Sequence, residues 1–490
     1  MNLESKPFVA SVPPVPHGKG PLFVDMDGTL LATDLLWESA MLFAARHPLE
    51  IWRLPLWLLG GKAQLKQQLA ARALPDPATL PYRQDVLDFL SSEKRDGREI
   101  ILATAGDERA AASVAAHVGL FDSVLASDGV TNLDGERKLA AIVERSGGEG
   151  FGYMGNSTVD LPLWEKADDA YLVDAAPGLV RAAGSICQPR RVFEQRSGSA
   201  AALLKALRPT QWIKNILLIV PLCAAHKLGE GHLLVQVLVA IATFCACASS
   251  VYIVNDLVDL EADRRHPRKR ARPFASGAVS IPGGLLLAAA LIVGALAVSA
   301  TFLPLPFTQL LAGYLALASA YSFFFKRRML QDVFLLAGLY TLRIIAGGAA
   351  SNVEISPWLL AFSLFFFLSL AFVKRYAELL MVADRDEQQA SGRNYLTADI
   401  GLIESIGPSS GYLAVLVLCL YINSPAVNGM YHHPSRLWLL CPILLYWITR
   451  MWFLARRRTL ADDPVVFAVR DRVSLAAGFA AGVVFVAASI

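Results

Sequence analysis

The chain lacks an apolar leader: residues 1–21 are polar and proline-rich, so no cleavable signal peptide is expected and the following part is expected to stay in the cytosol. Cysteine is scarce, six among 490 residues, and none has metal-site spacing. Cys223, Cys245, Cys247, Cys419 and Cys441 fall in or beside apolar stretches and Cys187 lies in a connecting region, which reads as reduced packing residues. No convincing internal repeat is present, which argues against a transporter built from repeated, broken helices. The net charge of +3 excludes little, because with 18% charged residues the arrangement of charge carries the information.

What is present divides the chain in two. Up to Pro209 it is ordinary and polar; beyond Trp212 it is dominated by apolar stretches of roughly 17–25 residues, the length of a bilayer-crossing helix. About nine spans are expected, at 212–226, 232–254, 281–303, 305–325, 331–350, 357–377, 408–424, 436–455 and 473–490. The second, fourth, sixth and eighth loops carry the cations of 264–272, then Lys326, Arg327 and Arg328, then Lys374, Arg375, Arg385 and Arg393, then Arg456, Arg457, Arg458, Arg470 and Arg472. The other four carry only Lys227 and Arg436, so these four are expected in the cytosol and the C-terminus outside.

The densest chemistry lies at 255–272, where Asn255, Asp256, Asp259, Glu261 and Asp263 run into Arg264, Arg265, His266, Arg268, Lys269, Arg270 and Arg272. Asn255, Asp259 and Asp263 are spaced i, i+4 and i+8, which on a helix places them on one face beside Asp256. Mg²⁺ bridging to a pyrophosphate resolves the repulsion of those carboxylates, and the cations hold the remaining phosphate charge. The alternative is a solvated, charge-mixed loop. A second cluster runs from Tyr321 through Lys326, Arg327 and Arg328 to Gln331 and Asp332, a candidate metal or pyrophosphate ligand or a helix N-cap. Arg343, about three turns deeper, is a substrate contact or a member of a buried ion pair.

The N-D-x-x-D-x-x-x-D motif, the segment Arg208-Pro209-Thr210-Gln211-Trp212-Ile213-Lys214-Asn215 and the segment from Tyr321 to Asp332 resemble the UbiA-type membrane prenyltransferase superfamily over residues 205–490. The resemblance implies an all-α bundle of about nine transmembrane helices with a cavity open sideways to lipid, capped on the cytosolic side. Residues 262–273 and Lys374-Arg375-Tyr376-Ala377-Glu378 look most like its decaprenyl-phosphate phosphoribosyltransferase branch, in which the pyrophosphate belongs to phosphoribosyl pyrophosphate and a polyprenyl phosphate is the acceptor. It implies Mg²⁺ on Asn255, Asp256, Asp259 and Asp263, with Asp256 and Asp259 catalytic and Asp332 a further ligand. It implies substrate contacts from Gln211, Lys214, Asn215, Arg264, Arg265, His266, Lys269, Arg272, Tyr321, Lys326, Arg343 and Lys374. The 5-phosphate of that donor explains why so many cations follow the acids. The second acidic motif has Asp332 but no second Asp four residues on.

In the front half, the apolar strand Leu22-Phe23-Val24 ends in Asp25-Met26-Asp27-Gly28-Thr29-Leu30, and Ile100-Ile101-Leu102-Ala103 ends in Thr104. Two aspartates two apart after a strand face one opening, with Gly28 admitting a phosphate. With Lys138 in a helix start and Gly155-Asn156-Ser157-Thr158-Val159-Asp160 following, the ordered set resembles the haloacid dehalogenase (HAD) phosphatases over residues 20–185. That implies an α/β Rossmann-like domain with a helical cap at about 33–95. It also implies Asp25 as nucleophile, Asp27 as acid and base, Thr104 and Lys138 as phosphoryl clamps, and Mg²⁺ held by Asp25, Asp27 and Asp160. Asn156 stands where the family often has an acid, one negative charge fewer for the metal.

The expected organisation is a disordered tail at 1–19, the phosphatase domain at 20–185, a linker at 186–207 and the membrane domain at 208–490 of an integral inner- or plasma-membrane protein. The expected activity is Mg²⁺-dependent transfer of 5-phosphoribose to a polyprenyl phosphate, followed by removal of the 5-phosphate, without any nucleic-acid partner. Two alternatives remain at the level of sequence: an aromatic prenyltransferase using a polyprenyl pyrophosphate, and a non-enzymatic transporter or scaffold.

Overall fold

The computed structural model describes residues 20–127, 132–148, 150–194, 199–384, 394–460 and 463–490, without the side chains of 426 and 428. The expected tail at 1–19 and the loop cations Arg385 and Arg393 lie outside these residues. The chain divides into two compact units, Met1–Leu203 with Asp256–Gly283, and Leu204–Asn255 with Gly284–Ile490.

The first unit is built on a six-stranded parallel sheet, ordered β3-β2-β1-β4-β5-β6. The strands are β1 (Leu22–Val24), β2 (Ile100–Asp107), β3 (Ser123–Ser127), β4 (Gly152–Gly155), β5 (Asp169–Val173) and β6 (Arg191–Phe193). The first strands are apolar at nearly every position because both faces are covered. Leu22, Val24, Ile100, Leu102 and Met154 pack into one core. Phe23, Ile101, Ala103 and Tyr153 pack into the other, with Trp164. Strand order reverses at β1, which pairs with β2 on one side and β4 on the other, so its carboxyl end opens into the crevice where α/β sheets bind ligands.

Four helices, Leu35–Arg46, Arg53–Leu59, Lys62–Arg72 and Gln84–Arg95, separate β1 from β2. The first starts sharply because the Asp34 side chain accepts from the amides of Leu36 and Trp37.

The second unit is helical. Among the described residues seven helices are long and apolar enough to cross a membrane: Gly231–Val258, Ile281–Phe302, Gln331–Ser351, Pro357–Ala383, Thr397–Ile422, Pro434–Arg456 and Arg472–Ser489. The expectation of nine is therefore approximate. Residues Pro209–Ile219 form a 3-10 run continued by the short helix Val220–Ala224, and Leu305–Phe323 is a 19-residue helix outside the seven. Helix contacts are close where side chains vanish: a Cβ on Gly407 would lie 2.0 Å from the Trp452 ring, and one on Gly347 would lie 2.1 Å from the Leu218 carbonyl.

Candidate functional site

In the first unit, Asp25 leaves the end of β1 and accepts from Lys138 Nζ at 2.7 Å. That ammonium also donates to Tyr153 Oη at 3.1 Å, and Tyr153 donates to Asp160 Oδ1 at 2.8 Å. The other Asp160 oxygen accepts from the amides of Asn156 and Ser157. Asp160, expected as a metal ligand, thus turns both oxygens toward the protein and organises the Lys138 clamp and the loop after β4. Thr104 is buried and accepts from the Gly106 amide. Gly28 is required twice over: its φ is +79°, and a Cβ there would sit 2.0 Å from Asn156 Nδ2.

Burial pushes the Asp25 carboxyl up to about 6, although Lys138 pulls it back. Burial, with Asp34 and Asp25 nearby, pushes Asp27 up to about 8. Burial alone would lower the Lys138 ammonium, but Asp25 and Asp160 raise it, so it stays charged. A carboxylate nucleophile beside a carboxylic acid, clamped by an ammonium, is the set that phosphoryl transfer through a covalent intermediate needs. Sequence reasoning missed two members. No motif singles out Tyr153, and Lys66 reaches from helix Lys62–Arg72 to the Ala105 carbonyl at 2.6 Å, beside Asp27 and Asp34 in electrostatic terms.

The acidic–basic segment is not one continuous helix. Helix Gly231–Val258 ends after Asp256, Asp259 takes the N-cap position and a short helix Leu260–Arg265 follows, so the single face expected from i, i+4, i+8 spacing is broken. The break turns Asp263 back toward Asp256, and both carboxylates meet the same Arg272 nitrogen, Asp256 at 3.0 Å. Lys269 Nζ lies 3.9 Å from Asp263. One cation position therefore satisfies two carboxylates, which fits Mg²⁺ completed by water and phosphate oxygens. Among the described residues no group of three or more His, Cys, Asp or Glu side chains is arranged to hold a metal.

Two expected substrate cations are engaged elsewhere. Arg264 spans Glu38 with two nitrogens, at 2.6 and 3.0 Å, and donates Nε to the Ala275 carbonyl. Arg265 pairs with Asp76 and Glu261. His266 Nδ1 faces the Arg268 and Lys269 amides.

In the second unit, Lys326 Nζ reaches Asn255 Oδ1 at 3.5 Å. Asp463, which no sequence motif singles out, is the hub of a buried cluster. It accepts from Lys214 at 2.7 Å, Lys374 at 3.3 Å and Tyr340 at 3.1 Å while capping Pro464–Ala468. Arg343 is neither solvated nor paired to an acid among the contacts seen. Its guanidinium donates to Asn215, Tyr314 and the Leu339 carbonyl and lies over the rings of Phe244, Tyr314 and Tyr340. Asp332 is wholly buried against Arg375 at 2.7 Å and accepts from Tyr395 at 2.6 Å. Gln211 and Tyr321 are half-buried. A cavity of about 890 Å³, lined by apolar residues including Val220, Leu359, Phe362, Leu418 and Phe485, lies in the same unit.

Comparison with known proteins follows this division. Residues 216–477 match the UbiA prenyltransferase family, and residues 22–165 match haloacid dehalogenase-like hydrolases. The chain is 36% identical over 461 residues to an uncharacterized protein, y4nM, of Sinorhizobium fredii, covering 93% of this chain and 88% of that one. It is 36% identical over 288 residues to nodulation protein NoeC of Azorhizobium caulinodans, covering 57% of this chain and 92% of the relative. It is 39% identical over 187 residues to decaprenyl-phosphate phosphoribosyltransferase of Corynebacterium glutamicum, covering 37% of this chain and 56% of that enzyme. The fold and these matches define an integral membrane enzyme with an N-terminal domain like the haloacid dehalogenase-like hydrolases. The chain belongs to the UbiA prenyltransferase family and is related to its decaprenyl-phosphate phosphoribosyltransferases.

Proposed function

We propose that the chain transfers 5-phosphoribose from phosphoribosyl pyrophosphate to a polyprenyl phosphate, releasing pyrophosphate, and that its N-terminal domain then removes the 5-phosphate. The carrying observation is the meeting of Asp256 and Asp263 on one cation inside a segment that also holds Lys269 and Arg272. The likeness to decaprenyl-phosphate phosphoribosyltransferases supports the same reading. Asp256 and Asp263, with Asn255 and Asp259 adjoining in sequence, would hold Mg²⁺ there, and the ion would supply charge neutralisation for a departing pyrophosphate. Lys269 and Arg272 bind the outer phosphate oxygens once Arg272 is released from the carboxylates. Lys214, Lys374 and Arg343 supply positive charge for the second unit's anionic substrate groups, and the apolar cavity suits a polyprenyl tail. The acceptor phosphate is already an anion, so its attack on the ribose carbon needs no strong base. The loop cations favour a cytosolic N-terminal unit and an outside C-terminus.

In the phosphatase step, an Asp25 oxygen bonds to phosphorus while the ribose oxygen leaves with the proton of Asp27. Water then attacks the aspartyl-phosphate, Asp27 takes the water's proton, and inorganic phosphate departs. Asp25 and Asp27 would hold the Mg²⁺ of this site; Lys138 and Thr104 keep the phosphoryl oxygens in place.

Incubation of the purified protein with polyprenyl phosphate, phosphoribosyl pyrophosphate and Mg²⁺ tests both steps. Wild type is expected to accumulate polyprenyl-phosphoryl-ribose, and Asp25→Asn its 5-phosphorylated precursor. Asp256→Asn is expected to lose ~10²-fold or more of the transfer rate. Consumption of polyprenyl pyrophosphate with an aromatic acid, and no use of phosphoribosyl pyrophosphate, would overturn the transferase reading. Phosphorylated product from wild type, unchanged by Asp25→Asn, would overturn the second step alone.

A further inference from the structure

The N-terminal unit exposes an apolar surface that its own core does not use. Between helices Leu35–Arg46 and Lys62–Arg72, Leu49 is 77% exposed, Trp52 60% and Leu59 85%, and Ile51, Leu56 and Leu58 are exposed beside them. The short helix Arg53–Leu59 already has a satisfied inner face. Leu54 and Trp57 pack on Ala40, Phe43, Leu69 and Ala73, and the Trp57 ring meets Phe43 at 5.1 Å. The outward side chains therefore contribute nothing to holding the cap together, and a contiguous apolar patch on a polar domain marks a surface with a partner.

The identity of that partner follows from what the cap is tied to within its own unit. Glu38 is paired to Arg264, Arg46 to Glu261 at 3.6 Å and Asp76 to Arg265 at 3.0 Å. All three cations or acids on the far side belong to Asp256–Gly283, the segment joining the end of span Gly231–Val258 to the start of span Ile281–Phe302. A connection between two bilayer-crossing helices lies at the membrane surface, so the helix carrying Glu38 and Arg46 is clamped there too. The patch starts immediately after that helix. Its chemistry is interfacial: the Arg53 guanidinium lies over Trp52 at 5.5 Å, the Arg72 guanidinium over Trp57 at 5.0 Å, and the one acid in 49–62, Glu50, is neutralised by Arg53 at 2.7 Å. Tryptophan, leucine and arginine without a bare carboxylate is the composition that partitions between headgroups and acyl chains.

We propose that residues 49–59 of the cap form a membrane-interface anchor, seated in the bilayer that holds the chain's own spans. This rests on the integral-membrane character of the chain and holds whichever reaction the two sites perform. The full-length protein in vesicles of phosphatidylcholine and phosphatidylglycerol, doped with a phospholipid bearing a diazirine high on one acyl chain, supplies the test by photolabelling and peptide mapping. Lipid adducts on 49–59, at a level like that of the ends of the span helices, are expected. Their loss in Leu56→Asp/Leu59→Asp, with labelling of the spans unchanged, would reinforce the assignment; the wild-type map decides alone if that variant does not fold. Labelled spans with no lipid adduct on 49–59 would overturn it.

Discussion

Asp25 and Asp27 carry the sharpest consequence of burial at the scale of single residues. Both carboxyls are raised, to about 6 and about 8, above the roughly 3.9 of an exposed aspartate. The folded unit therefore holds protons that the unfolded chain has released, so these two groups make stability fall as pH rises from about 4 to about 8 and leave it flat beyond. A divalent cation competes for the same oxygens and relieves the repulsion of the ionised pair. The expected outcome is a thermal midpoint of the N-terminal unit that drops between pH 5 and pH 8.5 without metal. Added Mg²⁺ should raise it more at pH 8.5 than at pH 5. Differential scanning fluorimetry of the full-length protein in detergent, wild type against Asp27→Asn, measures both, and an equal Mg²⁺ effect at the two pH values contradicts the argument. These carboxylates were legible in the sequence because a motif following an apolar strand fixes where they point. Tyr153 and Lys66 were not, since their roles depend on approach from β4 and from a cap helix.

Asp332 shows how elements decide a residue's role. At the start of helix Gln331–Ser351 it was an open candidate for a metal ligand or an N-cap, but helix Pro357–Ala383 brings the wholly buried Arg375 against it, and Tyr395 donates from beyond. An ion pair deep among apolar helices is costly to make and more costly to break. Removing one partner should cost about 3–5 kcal/mol, whereas replacing both by apolar groups of similar volume should recover part of it, because Arg375 also pairs with Glu378. Arg375→Met should therefore lower the thermal midpoint of the purified protein sharply, and Asp332→Leu/Arg375→Met should restore it in part. If the double variant folds and transfers phosphoribose, Asp332 acts as a structural tie; if it folds without activity, the ligand role stands. The spans themselves were legible at this scale because apolar length alone calls for them. The 3-10 run at Pro209–Ile219 was not, because its apolar composition resembles that of a span.

At the scale of the whole molecule, the segment Asp256–Gly283 belongs by contact to the unit that precedes it by more than the length of a membrane helix in sequence. Its main tie is Arg264, bound by Glu38 and the Ala275 carbonyl with its side chain 7% exposed, and Glu38 is itself held by Thr33 Oγ1 at 2.6 Å. Thr33 in turn accepts the Gly28 amide, so a chain of short contacts runs from the Asp25–Thr29 turn to the basic segment. Glu38→Gln should loosen the segment without disturbing the sheet. Hydrogen exchange of the full-length protein should rise across 260–276 while β1 and β2 stay protected, and the Michaelis constant for phosphoribosyl pyrophosphate should rise several-fold with little change in turnover. Unchanged exchange at 260–276 would show that Glu38 carries no such load.

Local order alone made four features readable: apolar length for the spans, apolar runs for the sheet, a two-aspartate turn after β1, and a crowded stretch of acids and cations after one span. Only the tertiary structure decided which charge answers which. Arg264 chose Glu38 from 226 residues away and Asp463 gathered Lys214 from 249 residues away. The physical reason is desolvation: a charge taken out of water must find an opposite charge at hydrogen-bond distance. Which one lies within reach is settled by how helices and strands pack, a matter on which sequence spacing is silent.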